Sequence, residues 1–233
     1  MTNLQKRILT AFIILPLSLF FIIKGSYFLI FFLIFILFAG FHELFSSFKR
    51  GIIIFFLSLI LILSLFSIYY LRVSSEDSVL VLYLVIAISI SSDIGGYVFG
   101  KIFKWKKLTK ISPKKTISGV FGSYFFSVIC LVVFLKIWTR DVPDLLPAYI
   151  NIRSFLVAII FSTVAQFGDL TISYFKRLEK IKDTGKILPG HGGILDRIDG
   201  LMFVVILASL LYYLTKMELI QNSQTGTFLW LLL

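Results

Sequence analysis

Charge is scarce in this chain. Of its 233 residues only 15% are Asp, Glu, Lys or Arg, while 58% are hydrophobic. A water-soluble domain rarely exceeds about half apolar residues, so a soluble globular fold is excluded. There is a single cysteine, Cys130, which rules out an intrachain disulfide. It lies in "SVICLVVFL" and reads as a small apolar packing residue. The two histidines, His42 and His191, are far apart in sequence, and no cysteine lies near His191, which argues against a zinc site there. No heptads, low-complexity tract or internal repeat appear. The first apolar run, "ILTAFIILPLSLFFII", lacks an A-x-A-like cleavage site and is followed after "KGS" by a second one, so it reads as a retained helix rather than a signal peptide.

What fills the chain is long apolar segments. Several approach or pass the roughly 18 residues of a spanning helix, and they predict helices at about 8–23, 27–44, 51–71, 78–99, 117–137, 153–175 and 200–215. The expected fold is all-α, a polytopic transmembrane bundle of about seven spanning helices with a polar active site at one membrane face. Residues 1–75 form N-terminal helices, and 76–233 a catalytic region with long loops at 100–116 and 176–199. The tail "TFLWLLL" is too short to span and is expected in the interface or docked on the bundle. Numbering the loops alternately puts seventeen of the 23 basic residues on one side and six on the other. The positive-inside bias then places the N-terminus and both long loops in the cytoplasm. That bias also accounts for much of the net charge of +11, but not for its concentration: "KIFKWKKLTKISPKK" holds seven lysines and no acid, a stretch that would attract anionic headgroups or a nucleoside triphosphate.

Acids at membrane depth cost several kcal/mol unless paired or metal-bound, so they mark functional sites. Asp93 closes an apolar run in "ISISSDIGGYVFG". Gln166, Asp169, Ser173 and Lys176 share one helical face; Gln166 and Ser173 fit equally well a polar seam that holds helices together. Downstream, "KDTGKILPGHGGILDRIDG" crowds three acids, three bases, a histidine and five glycines into Lys182–Gly200. Pro189 with Gly190, Gly192 and Gly193 makes a tight loop whose N–H groups could cradle phosphate, although the spacing is not that of a P-loop. Asp196 and Asp199 fall on one face at the start of the last helix. One such acid would be read as favourable charge at a helix N-terminus. Two of them, with Asp169 across the loop, suggest oxygen ligands for a magnesium ion shared with substrate phosphates. His191 reads as a loop hydrogen-bonder or phosphate contact, and Glu43, beside His42, as an interfacial residue.

The segment "SYFKRLEKIKDTGKILPGHGGILDRID", Ser173–Asp199, resembles the signature of the phosphatidate cytidylyltransferases, the CDP-diacylglycerol synthases. It has a Ser, then Lys-Arg, Lys-Asp, His-Gly-Gly, Asp-Arg and a final Asp at the family's spacings, and "QFGDL" and "SDIGGYVFGK…SPKKT" extend the likeness over roughly residues 89–205. "RILTAFIILPL" and "HELF" are similar to family openings in character only. Ser118 stands where many relatives have Glu, and the chain is short on its N-terminal side, which bears on topology rather than chemistry.

The resemblance implies that CTP and phosphatidate react to give CDP-diacylglycerol and pyrophosphate. It implies catalytic roles for Asp169, Asp196, Lys176 and Arg197, with Asp169, Asp196 and Asp199 as ligands of magnesium, and room for a second cation. Substrate contacts would come from Lys114, Lys115, Ser173, Arg177, Lys182, Gly190, His191, Gly192 and Gly193. Asp93 is either a further ligand or the orienter of a lysine. The expected partners are the two substrates and the bilayer, with no nucleic acid and a homodimer left open; the expected location is a bacterial plasma (inner) membrane, with the site facing the cytoplasm. Two rivals fit less well. CDP-alcohol phosphotransferases would need "DGxxAR", which is missing, and a transporter would need midplane acids and repeated halves. A CTP-dependent lipid kinase would face the same phosphate problem and differs in its product.

Overall fold

A computed structural model describes residues 3–109, 111–141, 144, 146–185, 187–188 and 192–222. In chain order the helices are α1 (Asn3–Lys24), α2 (Ser26–Ser47), α3 (Gly51–Val73), α4 (Glu76–Phe103), α5 (Ile117–Trp138), the single turn α6 (Leu146–Tyr149), α7 (Ile152–Leu178) and α8 (Leu195–Asn222). The described residues contain no strand ladder, only two isolated bridges, Lys107 with Thr116 and Leu188 with Gly192. Six helices, α2 to α5, α7 and α8, are long and apolar enough to cross a membrane. Phe31, Phe38, Phe55, Phe66, Phe121 and Phe125 are all exposed, so much of the bundle's outer surface suits lipid rather than water. The chain is a multi-pass helical membrane protein. The predicted tail, residues 227–233, lies outside the described residues.

Local chemistry sets the helix ends. Ser75 and Ser78 form a reciprocal capping box at the start of α4, followed by Glu76 and Asp77 in the first turn, where negative charge is favoured. Asn151 accepts from the N–H groups of Arg153 and Ser154 at 2.9 and 3.1 Å and so starts α7. Thr116 accepts from Gly119 N–H at 3.1 Å at the head of α5. Ser118 is buried there and hydrogen-bonds Thr116 at 3.0 Å. Helix α4 runs past its predicted end at 99 to Phe103, and Asp93 lies inside it, as it does in the predicted span 78–99.

That extension is stabilised by packing on α5. Gly95 and Gly96 face Gly119 and Gly122 so closely that a Cβ on Gly122 would run into the Gly95 carbonyl and the Phe99 side chain. Small residues let two backbones approach to this degree. Helix α4 also packs on α3, α7 and α8, which makes it the centre of the bundle, while α1 packs chiefly on α2. A serine seam crosses the middle: Ser92 bonds Ser162 at 2.8 Å, and Ser123 donates to the Ser92 carbonyl at 2.8 Å.

The connections sort to two ends. At one, Arg72 donates to the carbonyls of Ile22 and Ile23 at 2.8 and 2.9 Å, closing the α1–α2 turn. Ser75 meets Tyr212 at 2.7 Å at that same end. At the other, the α2–α3, α4–α5 and α7–α8 connections converge, and Arg50 N–H donates to Glu179 at 3.0 Å there.

Gly122→Ala should lower the thermal unfolding midpoint in detergent by the equivalent of about 1–3 kcal/mol, the usual cost of overpacking. Gly51→Ala, whose added Cβ would meet nothing within 4 Å, should leave the midpoint unchanged.

Candidate active site

The α4–α5 connection folds back on itself at the end where the basic loops meet. Leu108 N–H donates to the Lys115 carbonyl at 2.8 Å, and Ile117 N–H to the Lys106 carbonyl at 3.0 Å. Lys115 N–H closes a turn around Pro113 by donating to Ser112 at 3.0 Å. The result delivers the Lys115 side chain to α7, where its ammonium pairs with Asp169 at 2.6 Å and donates to the Gln166 carbonyl at 3.2 Å. Ser173, one turn on, donates to the other oxygen of Asp169 at 3.3 Å.

Asp169 has acidic company. Asp93 of α4 and Asp199 of α8 both lie within its electrostatic reach, and Asp199 feels Asp93 and Lys176 as well. Glycine makes the meeting possible: a Cβ on Gly168 would come within 2.6 Å of the Phe203 ring and 3.0 Å of the Asp199 carbonyl, so α7 and α8 touch backbone to backbone at this level. Acids from three helices thus lie within reach of the charge of Asp169, which Lys115 pairs, and the charges of Lys115 and Arg197 also reach Asp93. Gln166 joins the serine seam, reaching Ser162 at 3.4 Å.

Asp196 has a different environment. One oxygen accepts from the Lys176 ammonium at 2.8 Å, and both side chains are less than a tenth exposed. The other accepts from Thr184 N–H at 2.8 Å and Gly193 N–H at 3.0 Å. Lys176 stands two helical turns beyond Asp169, about 10 Å along the axis. Asp169 and Asp196, expected to share one cation, are thus held by different partners, and it is Asp199 that falls beside Asp169.

The loop before α8 depends on a residue that the sequence reading set aside. Glu43 is not interfacial; it is 1% exposed and among the most deeply buried side chains of the bundle. Its oxygens accept from Ile194 N–H at 2.7 Å, Leu195 N–H at 3.0 Å and the Thr184 hydroxyl at 3.2 Å. The first N–H groups of a helix have no intrahelical partners; at the head of α8, Glu43 accepts from that of Leu195 and from that of Ile194 just before it. A carboxylate fits this task because it only accepts and the helix N-terminus is electropositive. A single Glu carries no periodicity that would announce such a role from sequence.

The other expected contacts are distributed around this core. Arg177 is exposed and donates to the Ile181 carbonyl at 3.1 Å and the Ile111 carbonyl at 3.5 Å, tying the two loops together. Lys114, Lys182 and Arg197 are exposed at the same end. Gly192 has φ +85, the left-handed conformation that suits glycine. Gly193 N–H is committed to Asp196, and a Cβ there would approach Glu43 within 2.5 Å, so its glycine is required by packing on Glu43. Gly190 and His191 lie outside the described residues.

The donor set suits a hard cation. The acids near Asp169 offer carboxylate oxygens, without His or Cys, and among the described residues no three His, Cys, Asp or Glu side chains gather closely enough to hold an ion alone. Magnesium commonly takes one or two carboxylates and completes its shell with water and substrate phosphates. Asp169 with Asp199 and Asp93 nearby fits that mode.

Residues 46–215 match the model of the cytidylyltransferase family. The chain is 40% identical over 126 residues to a phosphatidate cytidylyltransferase of Staphylococcus epidermidis (strain RP62A), covering 52% of this chain and 44% of that protein. It is 38% identical over 151 residues to the protein of that name from Staphylococcus haemolyticus, covering 61% and 52%. Identity is 43% over 122 residues to the one from Staphylococcus aureus (strain COL), covering 52% and 44%. The chain thus spans about half the length of these curated relatives. The matched segment contains Asp93, Lys115, Asp169, Lys176, Asp196 and Asp199, and with them the whole acid cluster; the chain belongs to the cytidylyltransferase family.

Proposed function

We propose that this protein transfers CMP from CTP to phosphatidate, giving CDP-diacylglycerol and pyrophosphate, at the end of the bundle where α4, α7 and α8 bring their acids together. The observation that carries the reading is the grouping of Asp93 and Asp199 around Asp169, with Lys115 paired to Asp169, in a chain of this family. The relatives' printed name supplies the substrates. The excess of basic residues on this side supports a cytoplasmic site in a bacterial plasma membrane.

In this reading a phosphate oxygen of the lipid attacks the α-phosphorus of CTP, the bond to the bridging oxygen breaks, and pyrophosphate leaves with the electron pair. Phosphatidate is already ionised near neutral pH, so no strong base is needed. Both reactants are anions, and the work is charge neutralisation and in-line positioning. Asp169 and Asp199, with Asp93 beside them, would hold a divalent cation that neutralises phosphate oxygens. Lys115 keeps Asp169 compensated and presents its ammonium where a phosphate would arrive. Lys114, Arg177, Lys182 and Arg197 form a cationic rim suited to the triphosphate and the lipid headgroup. Lys176 and Asp196 hold the loop that closes this rim.

Protein purified in detergent, given CTP labelled at the α-phosphate, phosphatidate and magnesium, should form labelled CDP-diacylglycerol; a phosphorylated lipid without the label would indicate a CTP-dependent kinase instead. Asp169→Asn should cut the rate by about 100-fold or more, as loss of a key electrostatic group does, while leaving the unfolding midpoint near that of the parent. Near-normal activity of this variant with magnesium would contradict the cation assignment.

Asp196→Asn should behave differently, because it strands a buried Lys176. Activity and stability should fall together, the latter by about 3–5 kcal/mol. Thermal unfolding in detergent separates the two classes of variant.

A further inference from the structure

Glu43 lies on α2, outside the segment that matches the family model, yet it accepts three hydrogen bonds from the α7–α8 loop and the start of α8, where Asp196 accepts two from the loop. Its three donors sit on both sides of the loop: Thr184 on the way out from α7, Ile194 and Leu195 on the way into α8. The loop closes over it tightly. A Cβ on Gly185 would fall 2.8 Å from its oxygen, and one on Gly193 would meet Glu43 at 2.5 Å and crowd the Thr184 hydroxyl too. Ser47, one turn further along α2, donates to the Thr184 carbonyl at 2.5 Å.

These contacts feed directly into the charged groups of the site. The N–H groups of Thr184 and Gly193 are the two that hold Asp196, and Asp196 in turn fixes the Lys176 ammonium. Ile194 and Leu195 begin the helix whose next turn carries Asp199. We propose that Glu43 is a positioning residue for nucleotidyl transfer: through the backbone of Thr184, Ile194 and Leu195 it sets the placement of Asp196, Lys176 and Asp199 around the CTP phosphates. The role rests on the reaction assigned above. It requires acceptors at both ends of the side chain. The isosteric amide keeps one acceptor and turns an NH2 toward an N–H or hydroxyl donor, so Glu43→Gln isolates the effect without changing volume.

The test compares the parent chain and Glu43→Gln in detergent by hydrogen–deuterium exchange and by steady-state kinetics with CTP. Exchange should accelerate at least ten-fold in peptides covering 183–196 and stay unchanged in α4 and α5. The KM for CTP should rise about ten-fold, a change that loss of folded enzyme alone cannot produce because it lowers only the apparent kcat. Should Glu43→Gln not yield monodisperse protein, Thr184→Val removes one of the three donors while keeping Glu43, and should give the same localised pattern with a KM raised several-fold. Unchanged exchange in 183–196 overturns the proposal, as does faster loop exchange with kcat and KM both within two-fold of the parent. If the parent chain makes no CDP-diacylglycerol, the assigned reaction fails instead, and the exchange difference alone decides whether Glu43 holds the loop.

Discussion

Carboxylates placed in membrane-spanning helices must be compensated locally, because lipid offers no water to solvate them. In this bundle Asp93, Asp169 and Asp199 stand on three helices that pack against one another, and the charge of Asp169 reaches both Asp93 and Asp199. Such an arrangement persists only if positive charge is brought to it. The α4–α5 connection does this by folding on itself around Pro113 and sending Lys115 to Asp169. The same demand explains why the connection is rich in lysine and empty of acid, and why α4 and α5 approach through glycines that leave no room for side chains between them. A site so biased toward anions nearby and cations around the rim is suited to triphosphate bound with a divalent ion.

A second constraint acts on the loop between α7 and α8. Its glycines give it close packing, but closeness alone does not define one conformation. Two carboxylates do. Asp196 ties Thr184 and Gly193 to the Lys176 ammonium, and Glu43 ties Thr184 to the first N–H groups of α8. The acids of this region therefore divide into those grouped around Asp169 and those that hold backbone. N-terminal helices that look peripheral, α2 above all, contribute to the second group and so connect the membrane anchor to the chemistry.

Much of this was legible in the residues. Apolar runs gave seven long helices, with the first and last several residues longer than predicted, and the face shared by Asp169, Ser173 and Lys176 is real, down to the bond between Ser173 and Asp169. Local sequence carries such information because helical spacing is a short-range rule. What could not be read was pairing across helices. Nothing in the spacing of Asp196 and Asp199 says that three residues along α8 separate a loop anchor from a member of the acid cluster. Nor could periodicity reveal Glu43, whose partners lie about 140–150 positions away in sequence.

The central claim is that Asp169, with its neighbours on α4 and α8, is where a divalent cation meets the phosphates of the nucleotide. Anomalous diffraction from crystals grown with manganese and a non-reacting CTP analogue locates that cation without reference to activity. The account predicts a manganese peak bound directly to Asp169, sharing phosphate oxygens of the nucleotide, with Lys115 moved from Asp169 toward those phosphates. A peak bound to Asp196 and not to Asp169, or a nucleotide bound away from the acid cluster altogether, would contradict it.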